Sequence, residues 1–144
     1  MSNAYPEIYL VRHGETEWSA SGKHTGRTDI PLTAAGEAAA RGVADRLKGL
    51  SVKAVWSSPS QRAFNTCTLA GFGASAVKKD DLQEWDYGAY EGVKTKEILA
   101  QRPGWRLFRD GCPGGEAAGD VGARADRIIA GLREAFGSAA TPNR

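Results

Sequence analysis

Cysteine is scarce in this chain of 144 residues: only Cys67 and Cys112 occur. They stand far apart, with no Cys-x-x-Cys pair and no cysteine-histidine ligand spacing, which excludes a disulfide framework and a structural zinc site and points to a reducing, cytoplasmic compartment. Long apolar runs are lacking too. No stretch approaches the roughly 20 residues of a membrane-spanning helix, and the opening MSNAYPEIYLVRH has none of the basic flank, apolar segment and small-residue cleavage site of a signal peptide. No membrane partner is expected. Charge of one sign is not in excess either, since nineteen basic and seventeen acidic residues leave a net +2. They are scattered, with no Lys/Arg run and no basic stripe laced with aromatics, so nucleic acid is not an expected partner. Histidine is as rare as cysteine, with His13 and His24 alone.

What is present suits one compact domain over residues 1–144, with 41% hydrophobic and 25% charged residues. Glu7 to Arg12 form a short run suited to a buried strand, which places His13 and Gly14 at its end. From Thr33 an alanine-rich stretch repeats Ala40, Val43, Ala44 and Leu47 at helical spacing, with Gly49 placed to stop the helix. Lys53 to Ser57 read as a second strand and continue into a helix with Pro59 near its first turn. A third strand is expected at Ala76 to Lys79, followed by a loop bearing Glu84 and Asp86. Thr95 can cap a short helix through Arg102, RDGCPGGE is a glycine-dense loop, and Gly119 to Phe136 form the last helix. That helix steps Val121, Ala125, Ile128, Leu132 and Phe136 along one face, and GSAATPNR beyond it reads as a polar tail. Successive strand-then-helix units predict an α/β domain with a parallel sheet.

An imidazole at a strand's carboxyl end sits where open α/β sheets place ligands, and it can serve there as nucleophile, general base or metal ligand. Metal binding needs further ligands at the right spacing. His24 lies in a glycine-containing loop beside Arg27 rather than with acids, so no metal is expected. Arg12 adjoins His13, and Arg62 opens the helix after the second strand, where its side chain and the helix amino end would face the same crevice. Planar guanidinium forks match phosphate oxygens, and two nearby cations would keep His13 neutral, with a lone pair available for attack. A phosphomonoester then needs a proton for its leaving oxygen, and Glu84, between Gln83 and Trp85, is the candidate acid.

The ordered stretches LVRHGETEW, TGRTDIPLTAAGE, SSPSQRA and LQEWDYGAYEG resemble the histidine phosphatase superfamily, the phosphoglycerate mutase-like enzymes, over roughly residues 7 to 136. HTGRTDIPLT, LQEWDYGAYEG and LFRDGCPGGE are most similar to its sedoheptulose bisphosphatase-like branch. The resemblance implies a three-layer α/β/α fold with a mainly parallel sheet, here lacking its last strand or strands. It implies His13 as the phosphohistidine, Arg12 and Arg62 as ligands of the transferring phosphoryl group, and Glu84 as acid and then base. Thr25 and Gly26 would touch substrate through hydroxyl and backbone, and Tyr87 would line the pocket. It implies no metal or other cofactor, and a small phosphate ester, most plausibly a sugar bisphosphate, as substrate.

The family pattern also includes a second histidine on a later strand beside the first. The chain has no residue that matches it, His24 belonging to the substrate loop, so weak or no turnover by this chain is expected. A sheet edge left open by a missing strand would invite pairing between copies, which makes a homo-oligomer an expected partner state. Two other functions stay open: a phosphoglycerate mutase, which would interconvert isomers without releasing phosphate, and a non-catalytic module that binds phosphate esters. Trp105, Arg106 and Arg109 are candidates to reach a second phosphate, with packing or solvation as the alternative.

Overall fold

The computed structural model describes residues 6–137, and the polar tail expected after Phe136 lies almost wholly outside them. Among the described residues six α-helices and two β-strands follow in order, with three short 3-10 turns between them: α1 (Glu17–Ser21), α2 (Ala34–Leu47), β1 (Val55–Ser57), α3 (Gln61–Leu69), β2 (Ala76–Lys78), α4 (Thr95–Gln101), α5 (Leu107–Asp110) and α6 (Ala118–Phe136). β1 and β2 pair in parallel, with Val55 opposite Ala76 and Ser57 opposite Lys78, and α3 makes the crossover between them. Parallel neighbours require such a crossover, since no tight turn can return the chain to the same end. This is the α/β unit that the alternation of strand and helix predicts.

The expected strand over Glu7–Arg12 is not formed. Residues 6–15 join no ladder, and Ile8, Tyr9, Leu10 and Val11 are exposed, Leu10 to 93%. An apolar run makes a segment competent to pair, but the facing strand must come from elsewhere in a chain, and among the described residues none takes that place. Among the same residues no helix is long and apolar enough to cross a membrane.

Helix α2 begins where the sequence signals it. Thr33 is extended, and its Oγ1 accepts the Gly36 N–H at 3.0 Å while donating to Glu15 Oε1 at 2.9 Å. One hydroxyl therefore caps the helix and ties it to the His13 loop. Thr33→Ala should lower stability by about 1 kcal/mol, read as a lower urea midpoint at unchanged slope. The helix buries Gly36 and Ala40 and ends at Leu47, with Gly49 in the left-handed region at φ 86°.

The core sits beneath the loops rather than under the sheet. Trp85, Ile98, Trp105 and Cys112 are buried together, with Tyr87, Tyr90, Val93, Leu107 and Val121 packed against them. Burial pushes the Cys112 thiol up, away from the reactive thiolate, as it does for half-buried Cys67. Helix α6 faces inward along most of its apolar stripe, with Val121, Ile128 and Leu132 half-buried. Its buried residue is Arg124, whereas Ala125 is exposed and Phe136 is 37% exposed at the edge of Trp56.

Candidate active site

His13 is positioned by its neighbours on both sides of the loop. Its Nδ1 lies 2.7 Å from the Gly14 carbonyl oxygen, which can only accept, so Nδ1 carries the ring proton and Nε2 keeps its lone pair. The Gly14 N–H in turn donates to Thr66 Oγ1 at 3.0 Å, and that hydroxyl donates to the Arg62 carbonyl at 2.7 Å. Helix α3 thus clamps the peptide that orients the imidazole. Partial burial lowers the pKa of His13, and the charges of Arg62 and Arg12 push in the same direction against the Gly14 carbonyl and Glu84. The balance favours the neutral ring.

Five of the seven expected site residues converge. Arg12, His13, Thr25, Glu84 and Tyr87 line one cavity of about 230 Å³, together with Ser19, Lys23 and His24. Tyr87 stacks on His24 with ring centroids 4.7 Å apart, and burial raises its phenol to about 12, so it remains a protonated hydroxyl at any working pH. Glu84 is exposed, and its Oε1 accepts the Trp85 N–H at 2.8 Å. It also borders a second cavity of about 190 Å³ lined by Gly26, Arg27 and Ser58.

The other two expected residues, Arg62 and Gly26, do not line the His13 cavity. Arg62 is 2% exposed and lies under the loop of residues 25–28 rather than in the cavity wall. Its Nη atoms donate to the carbonyls of Thr28 at 3.1 Å, Gly26 at 2.8 Å and Thr25 at 3.4 Å. A buried fork takes the acceptors nearest it, and here those are three carbonyls of a turn that lacks secondary structure to satisfy them. The Gly26 backbone is engaged within the chain, its N–H donating to Glu91 Oε2 at 2.8 Å and its carbonyl accepting from Arg62 Nη2 at 2.8 Å. A Cβ there would run into the Trp85 carbonyl, so glycine is required by close approach. The amino end of α3 is likewise engaged, with the Gln61 N–H on Asp29 Oδ1 at 2.8 Å.

Two of the residues proposed for a second phosphate are also accounted for by packing. Trp105 is buried and donates Nε1 to the Gly111 carbonyl, while Arg109 is held by Asp110 and the Gly104 carbonyl. Residues that sequence reasoning passed over do the holding: Thr66, Glu91, Glu116 and Arg124. Glu91 lies inside the quoted DYGAYEG stretch and accepts the N–H groups of both Gly26 and Arg27, at 2.8 and 2.6 Å. Its invariable partner is backbone, which leaves no mark on residue type.

The two histidines set a pH dependence. Burial is the leading cause that lowers both His13 and His24 from the ordinary value of 6.5. Between each folded value and 6.5 the unfolded chain binds more protons, so stability rises with pH through that window and is lost as pH falls below about 6.5. Urea midpoints measured from about pH 7 down to about pH 5 should fall for the parent chain, and less for His13→Asn. An identical slope in the two would contradict this.

The fold and the His13 cavity define an α/β domain in which an imidazole, a guanidinium and a carboxyl group line one cavity. The family model described as histidine phosphatase superfamily (branch 1) matches residues 8–140, and this chain belongs to that superfamily. Similar proteins include an acid phosphatase of Mycobacterium tuberculosis, 42% identical over 85% of this chain and 61% of its own length. A sedoheptulose 1,7-bisphosphatase of Saccharomyces cerevisiae is 36% identical over 92% of this chain and 58% of its own. A probable phosphoglycerate mutase of Salmonella choleraesuis is 34% identical over 88% and 61%. Among solved structures, an open reading frame product of Mycobacterium tuberculosis superposes with a TM-score of 0.79 at 39% identity, covering 88% of this chain and 65% of that one. The phosphoglycerate mutase of Thermus thermophilus gives 0.67 at 37% identity, over 85% and 70%. The architecture is therefore phosphoglycerate mutase-like α/β, and the chain spans about 60% of the length of these curated relatives.

Proposed function

We propose that this chain is a phosphomonoester hydrolase that works through a phosphohistidine at His13, on a small phosphorylated metabolite with a sugar bisphosphate as its foremost candidate. The observation that carries the proposal is the His13 Nδ1 proton on the Gly14 carbonyl, which leaves Nε2 unprotonated in a cavity shared with Arg12 and Glu84. In the first step the Nε2 lone pair forms the N–P bond while the P–O bond to the alcohol breaks. The Glu84 carboxyl group gives its proton to the departing oxygen. Water then attacks phosphorus, Glu84 takes the water's proton, and the N–P bond breaks to return the lone pair to Nε2. Arg12 supplies positive charge to the phosphoryl oxygens, and the Thr25 and Tyr87 hydroxyls supply neutral hydrogen bonds. Arg62 contributes to this site through its field on His13 and by holding residues 25–28 in place. None of these steps calls for a metal or other cofactor.

The bisphosphate preference rests on similarity to the yeast bisphosphatase and on Lys23 beside Arg12 at the cavity wall. Incubation of the chain with sedoheptulose 1,7-bisphosphate, and separately with a phosphoglycerate, distinguishes the readings. Free phosphate from the bisphosphate, released slowly because no residue of this chain matches the second histidine, is the expected product. Interconversion of phosphoglycerate isomers without phosphate release would replace hydrolysis by mutase chemistry, and saturable binding without either would leave a binding module.

A further inference from the structure

We propose that Arg124 of α6, with Glu116, is a positioning pair that holds the Glu84 carboxyl group at the leaving oxygen; this rests on the reading of Glu84 as the proton donor. Residues 83–87 around Glu84 have no regular structure, and carbonyls of this loop and of the 3-10 turn Asp80–Leu82 before it converge on a single buried guanidinium. Arg124 Nη1 donates to the carbonyls of Asp81 at 3.1 Å and Gln83 at 2.7 Å, and Nη2 reaches that of Glu84 at 3.5 Å. Nε and Nη2 grip Glu116 Oε1 and Oε2 at 2.9 and 2.8 Å. All five guanidinium N–H groups are thereby engaged, a set that a lysine ammonium with three donors cannot reproduce.

Glu116 holds the other flank of the same loop. Its Oε2 accepts the Asp86 N–H at 2.8 Å, its carbonyl accepts Trp85 Nε1 at 2.9 Å, and its own N–H donates to the Asp86 carbonyl at 2.8 Å. The pair thus grips residues 81, 83 and 84 from one side and 85 and 86 from the other. Arg27 lies 3.6 Å from Glu116 Oε1 and donates to Gln83 Oε1 at 2.7 Å, which ties the substrate loop to the same hub. The Arg124 side chain is only 10% exposed and that of Glu116 15%, so solvent does little to screen the arrangement. The neighbouring Arg127–Asp81 pair, 58% exposed on the arginine side, lacks that shielding.

The leaving group tests the proposal. An alkyl phosphate needs a proton on its departing oxygen, whereas p-nitrophenyl phosphate leaves as a stable phenolate without one. Arg124→Lys and Glu116→Gln keep side-chain bulk and are chosen over alanine, which could unfold the chain. In each, kcat/KM for the alkyl ester, which reports only the steps up to the phosphoenzyme, should fall on the order of a hundredfold and kcat/KM for p-nitrophenyl phosphate less than about threefold, the pattern also expected of Glu84→Gln. Equal losses on both esters, or no loss on either, would overturn the positioning role. Should the parent chain hydrolyse neither ester, the proposed function fails while the positioning remains measurable by amide hydrogen exchange. Arg124→Lys should then speed exchange at residues 84–86 by about tenfold with α2 unchanged, and unaltered exchange there would overturn it.

Discussion

Phosphate release by His13→Ala should fall by at least on the order of a thousandfold, and no acid-labile phosphate should remain on the protein after brief exposure to substrate. No other imidazole is free to take over the attack. His24 is the chain's only other imidazole, and it is stacked on Tyr87 with Nε2 3.1 Å from Thr95 Oγ1. Because burial and the fields of Arg62 and Arg12 lower the His13 pKa, the acid limb of kcat/KM should lie below the ordinary imidazole value of 6.5. Quenched-flow trapping of the phosphoenzyme, with and without the substitution, reads both expectations. Release that survives in His13→Ala would remove this histidine from the chemistry.

The second large effect is a pair of identical substitutions in one helix with opposite signs. Gly36 and Gly42 both lie in α2, where replacing glycine by alanine ordinarily adds about 0.5–1 kcal/mol. Nothing lies within 4 Å of a Cβ at Gly42, so Gly42→Ala should show that gain. A Cβ at Gly36 would collide with the Glu15 carbonyl oxygen and come within 2.7 Å of the Glu15 nitrogen. Those are backbone atoms with no rotamer to change, and Gly14 presses on Gly36 from the same loop. Overpacking of this kind costs roughly 1–3 kcal/mol, which exceeds the propensity gain. It also pushes the His13 loop off α2, and a displacement near 1 Å at a reacting atom can lower rate on the order of a hundredfold. Urea midpoints that rise for Gly42→Ala and fall for Gly36→Ala, with activity lost only in the latter, are the expected result. A stable, active Gly36→Ala chain would show that the loop and helix are not in rigid contact.

Local signals were sufficient for much of the fold. The Thr33 cap, the alanine periodicity and Gly49 bound α2, and the expected strands at 53–57 and 76–79 occur in shortened form at Val55–Ser57 and Ala76–Lys78. Caps, periods and turn residues act over a few positions, so they can be read without knowing the rest of the molecule. The segment before His13 shows the opposite case. Its apolar pattern is that of a strand, yet a strand is a relation between two segments, and the pattern of one does not supply the other.

Residue type and order alone singled out five groups that line the His13 cavity. Arg12, His13, Thr25, Glu84 and Tyr87 stand out because imidazole, guanidinium, carboxyl and hydroxyl chemistry is intrinsic to the side chain, and their motifs occur in order. Tertiary structure decided how those groups are held and what the rest of the charge does. Arg62 lies beneath the substrate loop, Glu91 secures Gly26, and Arg124, a residue on what periodicity presents as an ordinary amphipathic helix, lies buried at the Glu84 loop. Each of these contacts joins positions between 36 and 65 residues apart through backbone carbonyls and amides. Every residue carries those groups alike, so no sequence pattern distinguishes the ones that will be left needing a partner.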